Sequence, residues 1–441
     1  MEGNFYLPEN KSYTIVDSMR DSIRFTVDRT LTEYGGHLCS KSSFVDPEGQ
    51  VMGWHDFGNL EGPGWAANAV GGAYEIYRYG RFTRDGALQD VALSVLDHVL
   101  EDGFVDEETG FIYGYRDTVE DRICLNYKHN DDWFCPGAMA KIAYQLLIFS
   151  DLVPDIARHD KMIHAAIGCA QWIRQHVKPC TNGWFPRRVA RTGQHCAERP
   201  EGVPDPLFAT SADGLFIVQL MTELTRRGLA DYRAVVAEKA SLFAQLGGLF
   251  GSVNHDTYDH HENVAYAVGF RVLRAAADVT GNDQLESFAY NACLKGLDQF
   301  KMPHDRHGVK CKGLLFMEKT WDTAYLWESA EAALAYIEAY GETSDEQYLS
   351  DGLTILRAIA GHHHGGHGFL TEGVDWNNHV GSENHFDGAE FGDIQYTEPF
   401  LNNQHIAEPT LVYLENYAER HTSLGNTEYR DFEGNRLCTL A

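Results

Sequence analysis

KTWDTAYLWESAEAALAYIEAYGETSDEQYLSDGLTILRAIA, residues 319–360, decides the fold. It reads as a helix over 321–340, a tight polar link and a second helix over 344–361, with Thr343 and Glu346 spaced as a capping box in the link. The first helix is rich in small residues (Ala330, Ala332, Ala333), as a helix crowded by neighbours would be. Helices joined by so short a link lie antiparallel. The unit is therefore a helical hairpin.

The same unit recurs along the chain. Apolar residues at helical spacing mark a first helix from Tyr13 to about Tyr34 (Val16, Met19, Ile23, Val27), a second over 65–80, and a third carrying Leu88, Val91, Val95 and Val99. Further helices are expected at 134–150, 154–178, 210–228, 231–247, 261–279, 283–300, 344–361 and 405–420, which with 321–340 makes twelve. Links from even to odd helices are short (SDLVPD, GLAD, VTGND, YGETSDE), whereas links from odd to even helices are long: 35–62, 103–133, 179–209, 248–260, 301–320 and 362–404. All the long loops must then emerge at one end. Six hairpins elaborated at one end predict an all-α (α/α)6 toroid, read as one catalytic domain over residues 1–441, with even helices inside and a small β-hairpin in the 103–133 loop. Solenoid repeats have regular periods and concise loops, and do not match.

With 36 basic and 64 acidic residues and a net charge of −28, the surface as a whole disfavours nucleic acid and anionic membrane. No run of about 18 apolar residues is present. The opening MEGNFYLPENKSY lacks a signal-peptide pattern, and nine cysteines without a CxxC pair suit reduced thiols, so the expected location is cytoplasmic.

Chemistry is expected on the long loops and the first turns of the even helices. A sugar's apolar face stacks on aromatic rings, which makes Trp65, Trp133, Trp321 and Trp376 candidate platforms. Carboxylates stand at the same level: Asp132, Asp213, Glu262, Asp322 and Glu408. Each is accounted for singly as an N-cap or first-turn acid, but six inner N-termini aimed at one funnel bring several together. Glycoside hydrolysis needs two, one protonated and one ionised, and Asp132 with Asp213 or Asp322 is the expected pair. Loops 179–209 and 301–320 hold nine basic against five acidic residues, which suggests an anionic substrate group, with Arg187 and Arg188 as its clamp. Tyr115 and His261 are candidate proton carriers for β-elimination of a uronate. The loop 362–408, rich in His, Asn, Gly and aromatics, is expected to form a wall or lid with Trp376, His379, His385, His405 and Glu408 touching substrate. It contains no HExxH-like signature, so neither a metal nor another cofactor is expected.

With NDDWFCPGA and KTWDTAYLWES opening inner helices, and TGND and GETSDEQYL as outer turns, the chain from Tyr13 to Arg420 resembles the six-hairpin glycosidase superfamily. The resemblance lies in architecture, and GPGW and HGGHG appear without the Cys/His zinc pattern of lanthionine cyclases. It implies a carbohydrate-active enzyme, with uronate-processing hydrolases, polysaccharide lyases and sugar 2-epimerases as the alternatives. The expected activity is hydrolysis of an oligosaccharide containing a uronic acid, with β-elimination, epimerisation or glycan binding without catalysis as rivals.

Overall fold

The computed structural model describes residues 13–439 apart from 53–57, 128–131, 200, 254–256, 319–322, 365–367, 378–390, 405, 423–427 and 431–435. In chain order it runs α1 (Ile15–Phe25), a π-helical turn, strands β1 (Leu31–Tyr34), β2 (His37–Ser40) and β3 (Leu60–Glu61), then α2 (Ala69–Thr83) and α3 (Gly86–Glu101). Strands β4 (Tyr115–Asp117) and β5 (Arg122–Cys124) precede α4 (Pro136–Ser150), α5 (Ile156–His176), α6 (Gly214–Arg226), α7 (Arg233–Gln245), α8 (Asn263–Thr280) and α9 (Asp283–Phe288). After β6 (Thr323–Tyr325) come α10 (Leu326–Thr343), α11 (Glu346–Ala360), β7 (His363–His364), β8 (Phe369–Leu370), β9 (Gly373–Asp375), β10 (Gly392–Asp393), α12 (Pro399–Gln404), α13 (Ala407–Thr422), β11 (Glu428–Arg430) and β12 (Arg436–Thr439).

The ring closes as the alternation of links requires. Helices α2, α4, α6, α8, α10 and α13 pack each on the next, and α13 returns to α2. Each has an outer partner: α3, α5, α7, α9 and α11 in sequence order, and α1 against α13. The fold is an (α/α)6 toroid. Short α12 wedges against α2, where a side chain at Gly72 would run into Phe400.

The differences from expectation are local. The first helix stops at Phe25 and its continuation becomes a π turn and then β1, paired antiparallel with β2. The ninth stays α-helical only to Phe288, after which it loosens into π and tightens into 3-10 turns up to Phe300. The expected capping box at Thr343 and Glu346 is replaced by Asp345, whose side chain accepts Gln347 N–H. Thr343 instead donates to Ala339 O and accepts from Asp345 N–H. The 103–133 loop does carry its hairpin, β4–β5, extended by β3 into three strands. The stretch 362–404, which has no strand period in sequence, forms the β7–β8 pair and a β10–β9–β6 sheet that ties it to the entry of inner helix α10.

Capping distinguishes the two rings. Five of the six outer helices begin on side chains that accept their own first N–H groups: Thr14 in a full capping box, then Asp85, Asp155, Asn282 and Asp345, while α7 follows uncapped Tyr232. Inner helices α2, α4, α6, α8 and α10 have no such cap. Their positive dipole ends point into the loop face, and first-turn N–H groups there bond to loop carbonyls or to a neighbour's side chain, as Asn263 does to Met317 O and Leu326 to Glu372 O.

Candidate active site

The polar residues of the loop end form two groups around these uncapped N-termini. In the first, Asp213 occupies the N-cap position of α6 without capping it. Its Oδ2 accepts the Gly137 N–H of neighbouring α4 at 3.0 Å, while its own N–H is held by Ser211 Oγ. Gly137 is required there, because a Cβ would overlap the Asp213 carboxylate and carbonyl. Asp213 is 1% exposed, and burial pushes its carboxyl up to about 7 against the pull of Arg187, Gly137 N–H, Arg188 and Lys141. Such a group is partly protonated at neutral pH.

Arg187 and Arg188 lie fully buried beside it and share Asp205 as ion-pair partner. Arg187 also donates to Thr257 O at 2.9 Å, and Arg188 donates to Tyr258 Oη at 3.3 Å and stands over the Trp133 ring. Arg199 stacks on Tyr258 at 3.6 Å. Both guanidiniums are thus engaged by protein groups, Asp205 among them.

Asp132 precedes α4 by a few residues and is exposed, in contrast to Asp213. The described tryptophans are packed rather than open: Trp133 is 6% exposed, Trp65 9% and Trp376 2%. Trp65 sits edge-on to Phe216 and Trp327, with Lys141 Nζ 4.1 Å above its ring. Trp65 also lines, with Tyr115, Cys135 and Phe134, a small cavity between α4 and the β4–β5 hairpin. Tyr115 is buried there, its hydroxyl accepting Ala66 N–H at 3.3 Å. Asp322, Trp321, His379, His385 and His405 lie outside the described residues.

The second group surrounds the start of α8. Glu262, at its N-cap position, turns its carboxylate to Val253 N–H at 2.5 Å. Its backbone bridges that of Glu318, whose carboxylate accepts from Ser252 Oγ. Asn263 Nδ2 donates to Glu328 Oε2 of α10 at 2.9 Å. Burial, reinforced by Asp259, raises Glu318 to about 7. Burial, with Glu262 and Glu318 nearby, holds Glu328 well above the usual range. His261, the expected proton carrier, is exposed at the edge of this group with Nδ1 2.7 Å from Tyr266 Oη. Glu318 and Glu328 were not singled out by sequence, and nothing local marks them: their partners are 66 and 65 residues away.

Deeper along the axis, Glu408 of α13 stands with Glu75, Glu331 and Lys141 from α2, α10 and α4. Burial and the charge of Glu408 hold Glu75 well above the carboxylate range, and burial lowers Lys141.

No protein-family model and no curated protein sequence matches the chain. Solved structures do. Cellobiose 2-epimerase from Bacillus thermoamylovorans superposes on 91% of this chain and 98% of its own, with TM-score 0.58 and 14% identity. D-mannose isomerase covers 91% and 97% with TM-score 0.62 and 10% identity. A possible GH105 family member from Klebsiella pneumoniae covers 91% and 93% with TM-score 0.52 and 11% identity. At these identities the likeness is one of fold, the (α/α)6 toroid. Among the described residues no helix is long and apolar enough to cross a membrane.

Proposed function

We propose that the chain, acting as one catalytic domain over residues 1–441, is a carbohydrate-active enzyme that hydrolyses a glycosidic bond in an oligosaccharide carrying an acidic sugar. The observation that carries this reading is the buried Asp213 carboxyl, raised to about 7 at the head of two inner helices. Protonated, it can deliver its proton to the leaving glycosidic oxygen. Exposed Asp132, on the approach to the same helix α4, supplies the second carboxylate, which activates water or attacks the sugar carbon. The buried guanidiniums of Arg187 and Arg188 beside Asp213 support a uronate, since a planar guanidinium matches a carboxylate. Trp133 and Trp65 are proposed as the apolar wall under the sugar, and Trp321, Trp376, His379, His385, His405 and Glu408 as further contacts from the last loop and helix.

A second reading, proton transfer at the carbon next to a sugar carbonyl, draws support from the epimerase and isomerase among the fold neighbours. The carboxyls around Glu262, Glu318 and Glu328 would then carry the chemistry. A third, β-elimination, would use Tyr115 and His261. Product analysis on neutral and uronate oligosaccharides separates them. Hydrolysis releases a new reducing end with uptake of water; epimerisation or isomerisation leaves mass unchanged; elimination gives an unsaturated, UV-absorbing uronate. Absence of a new reducing end from every substrate sinks the hydrolase reading.

A further inference from the structure

Outside both groups of the loop face, three metal-ligating side chains from three separate elements meet in the interior: Cys39 of β2, Glu61 of β3 and His98 of α3, each fully buried. A sulfur, a carboxylate oxygen and a ring nitrogen from these residues all lie within 4.8 Å of one another. His98 Nε2 stands 3.1 Å from both Glu61 oxygens. Two ligands on a tetrahedral zinc ion, with bonds of about 2.0–2.2 Å, are separated by about 3.3 Å, so the pair needs little movement to share an ion.

We propose that Cys39, Glu61 and His98 form a structural site for a divalent transition-metal ion, with zinc favoured by the mixed sulfur, nitrogen and oxygen donors. The surroundings are those of an ion site. His98 Nδ1 is bound to Asp102 Oδ2 at 2.8 Å, and His37 Nδ1 holds the same oxygen at 2.9 Å. A carboxylate on the far ring nitrogen fixes the tautomer that presents Nε2 to a metal. Arg116 Nε grips Glu61 Oε1 at 2.6 Å and sets the angle of the carboxylate, and its Nη2 lies 3.9 Å from Cys39 Sγ. A divalent ion and one guanidinium then offset one thiolate and two carboxylates, so the buried cluster is neutral. An Arg–Glu–His–Asp ion network accounts for Arg116, Glu61, His98 and Asp102, whereas Cys39 meets it only through the long 3.9 Å contact from Arg116 Nη2, and a metal ion gives the sulfur a direct role. The ion would pin the β1–β2 hairpin and the β3–β4–β5 sheet to outer helix α3, steadying the wall that carries Tyr115.

The test uses the full chain purified with zinc present, dialysed against metal-free buffer and assayed for metal content, then stripped with a chelator and reloaded with cobalt(II). The expected result is about one zinc per chain and a thiolate-to-cobalt charge-transfer absorption. Cys39→Ser abolishes that absorption, and Asp102→Asn weakens zinc affinity about 10–100-fold. Less than about a tenth of an ion per chain together with no thiolate–cobalt band overturns the proposal. So does a band that survives Cys39→Ser. Should the variants fail to fold, the wild-type band alone decides.

Discussion

Asp213 stands at the N-cap position of its own helix yet gives its carboxylate to Gly137 of the neighbouring inner helix, 3.0 Å away. The side chain is thereby held in the seam between two inner helices, where burial rather than its hydrogen bond decides its charge. Asp213→Asn keeps an acceptor for the Gly137 N–H but cannot give up a proton. Turnover is expected to fall by about 10²–10⁴-fold. Melting temperature is expected to rise, because the cost of holding a carboxylate out of water disappears. Paired kcat and calorimetric measurements check this. A variant that is both as active and no more stable than wild type contradicts the assignment.

Gly137→Ala tests the close approach itself. The added methyl meets the Asp213 carboxylate and carbonyl, and overpacking of this kind costs about 1–3 kcal/mol. Urea unfolding should show the loss. An alanine variant of unchanged stability means the two helices have room to part.

Much of the ring could be read from residue order, because alternating short and long links is a property of topology that survives any local error in helix ends. Residues such as Ala330, Ala332 and Ala333, all buried in α10, mark the inner ring for the same reason. What escaped were relationships that depend on the third dimension. Asp213 is a candidate catalytic carboxylate in the sequence, but its tie to Gly137 is not legible there, because only the packing of α6 on α4 brings the two together. Glu318 and Glu328 have no motif around them and acquire raised proton affinity only through burial, reinforced by Asp259 at Glu318 and by Glu262 and Glu318 at Glu328. For Arg187 and Arg188 the signal was present: Asp205, in the same loop, is the acid that takes both.

Asp205 has its own expected outcome. Removing it leaves two buried guanidiniums without their shared carboxylate, and breaking a buried ion pair from one side costs about 3–5 kcal/mol. Asp205→Ala should therefore lower the urea midpoint sharply, and Asp205→Asn, which keeps an acceptor oxygen, should lower it less. Equal and small losses would show that Arg187 and Arg188 are compensated elsewhere.

Stability should depend on pH through Asp213 and Glu318, both raised in the folded state to about 7. For a carboxyl raised on folding, the contribution is fully present below the unfolded value near 4 and is lost as pH rises through the folded value. Melting temperature should thus be higher at pH 5.5 than at pH 8. The double variant Asp213→Asn, Glu318→Gln should flatten the difference. A wild-type profile that climbs steadily toward pH 8 argues that neither group is protonated in the folded chain.

The proposed role of Asp213 as a protonated acid is tested most directly by the pH dependence of kcat/KM on an oligosaccharide for which product analysis shows turnover. The expected profile has an alkaline limb with a midpoint near 7, where Asp213 loses its proton. Activity that stays level from neutrality to well above pH 8 would contradict it.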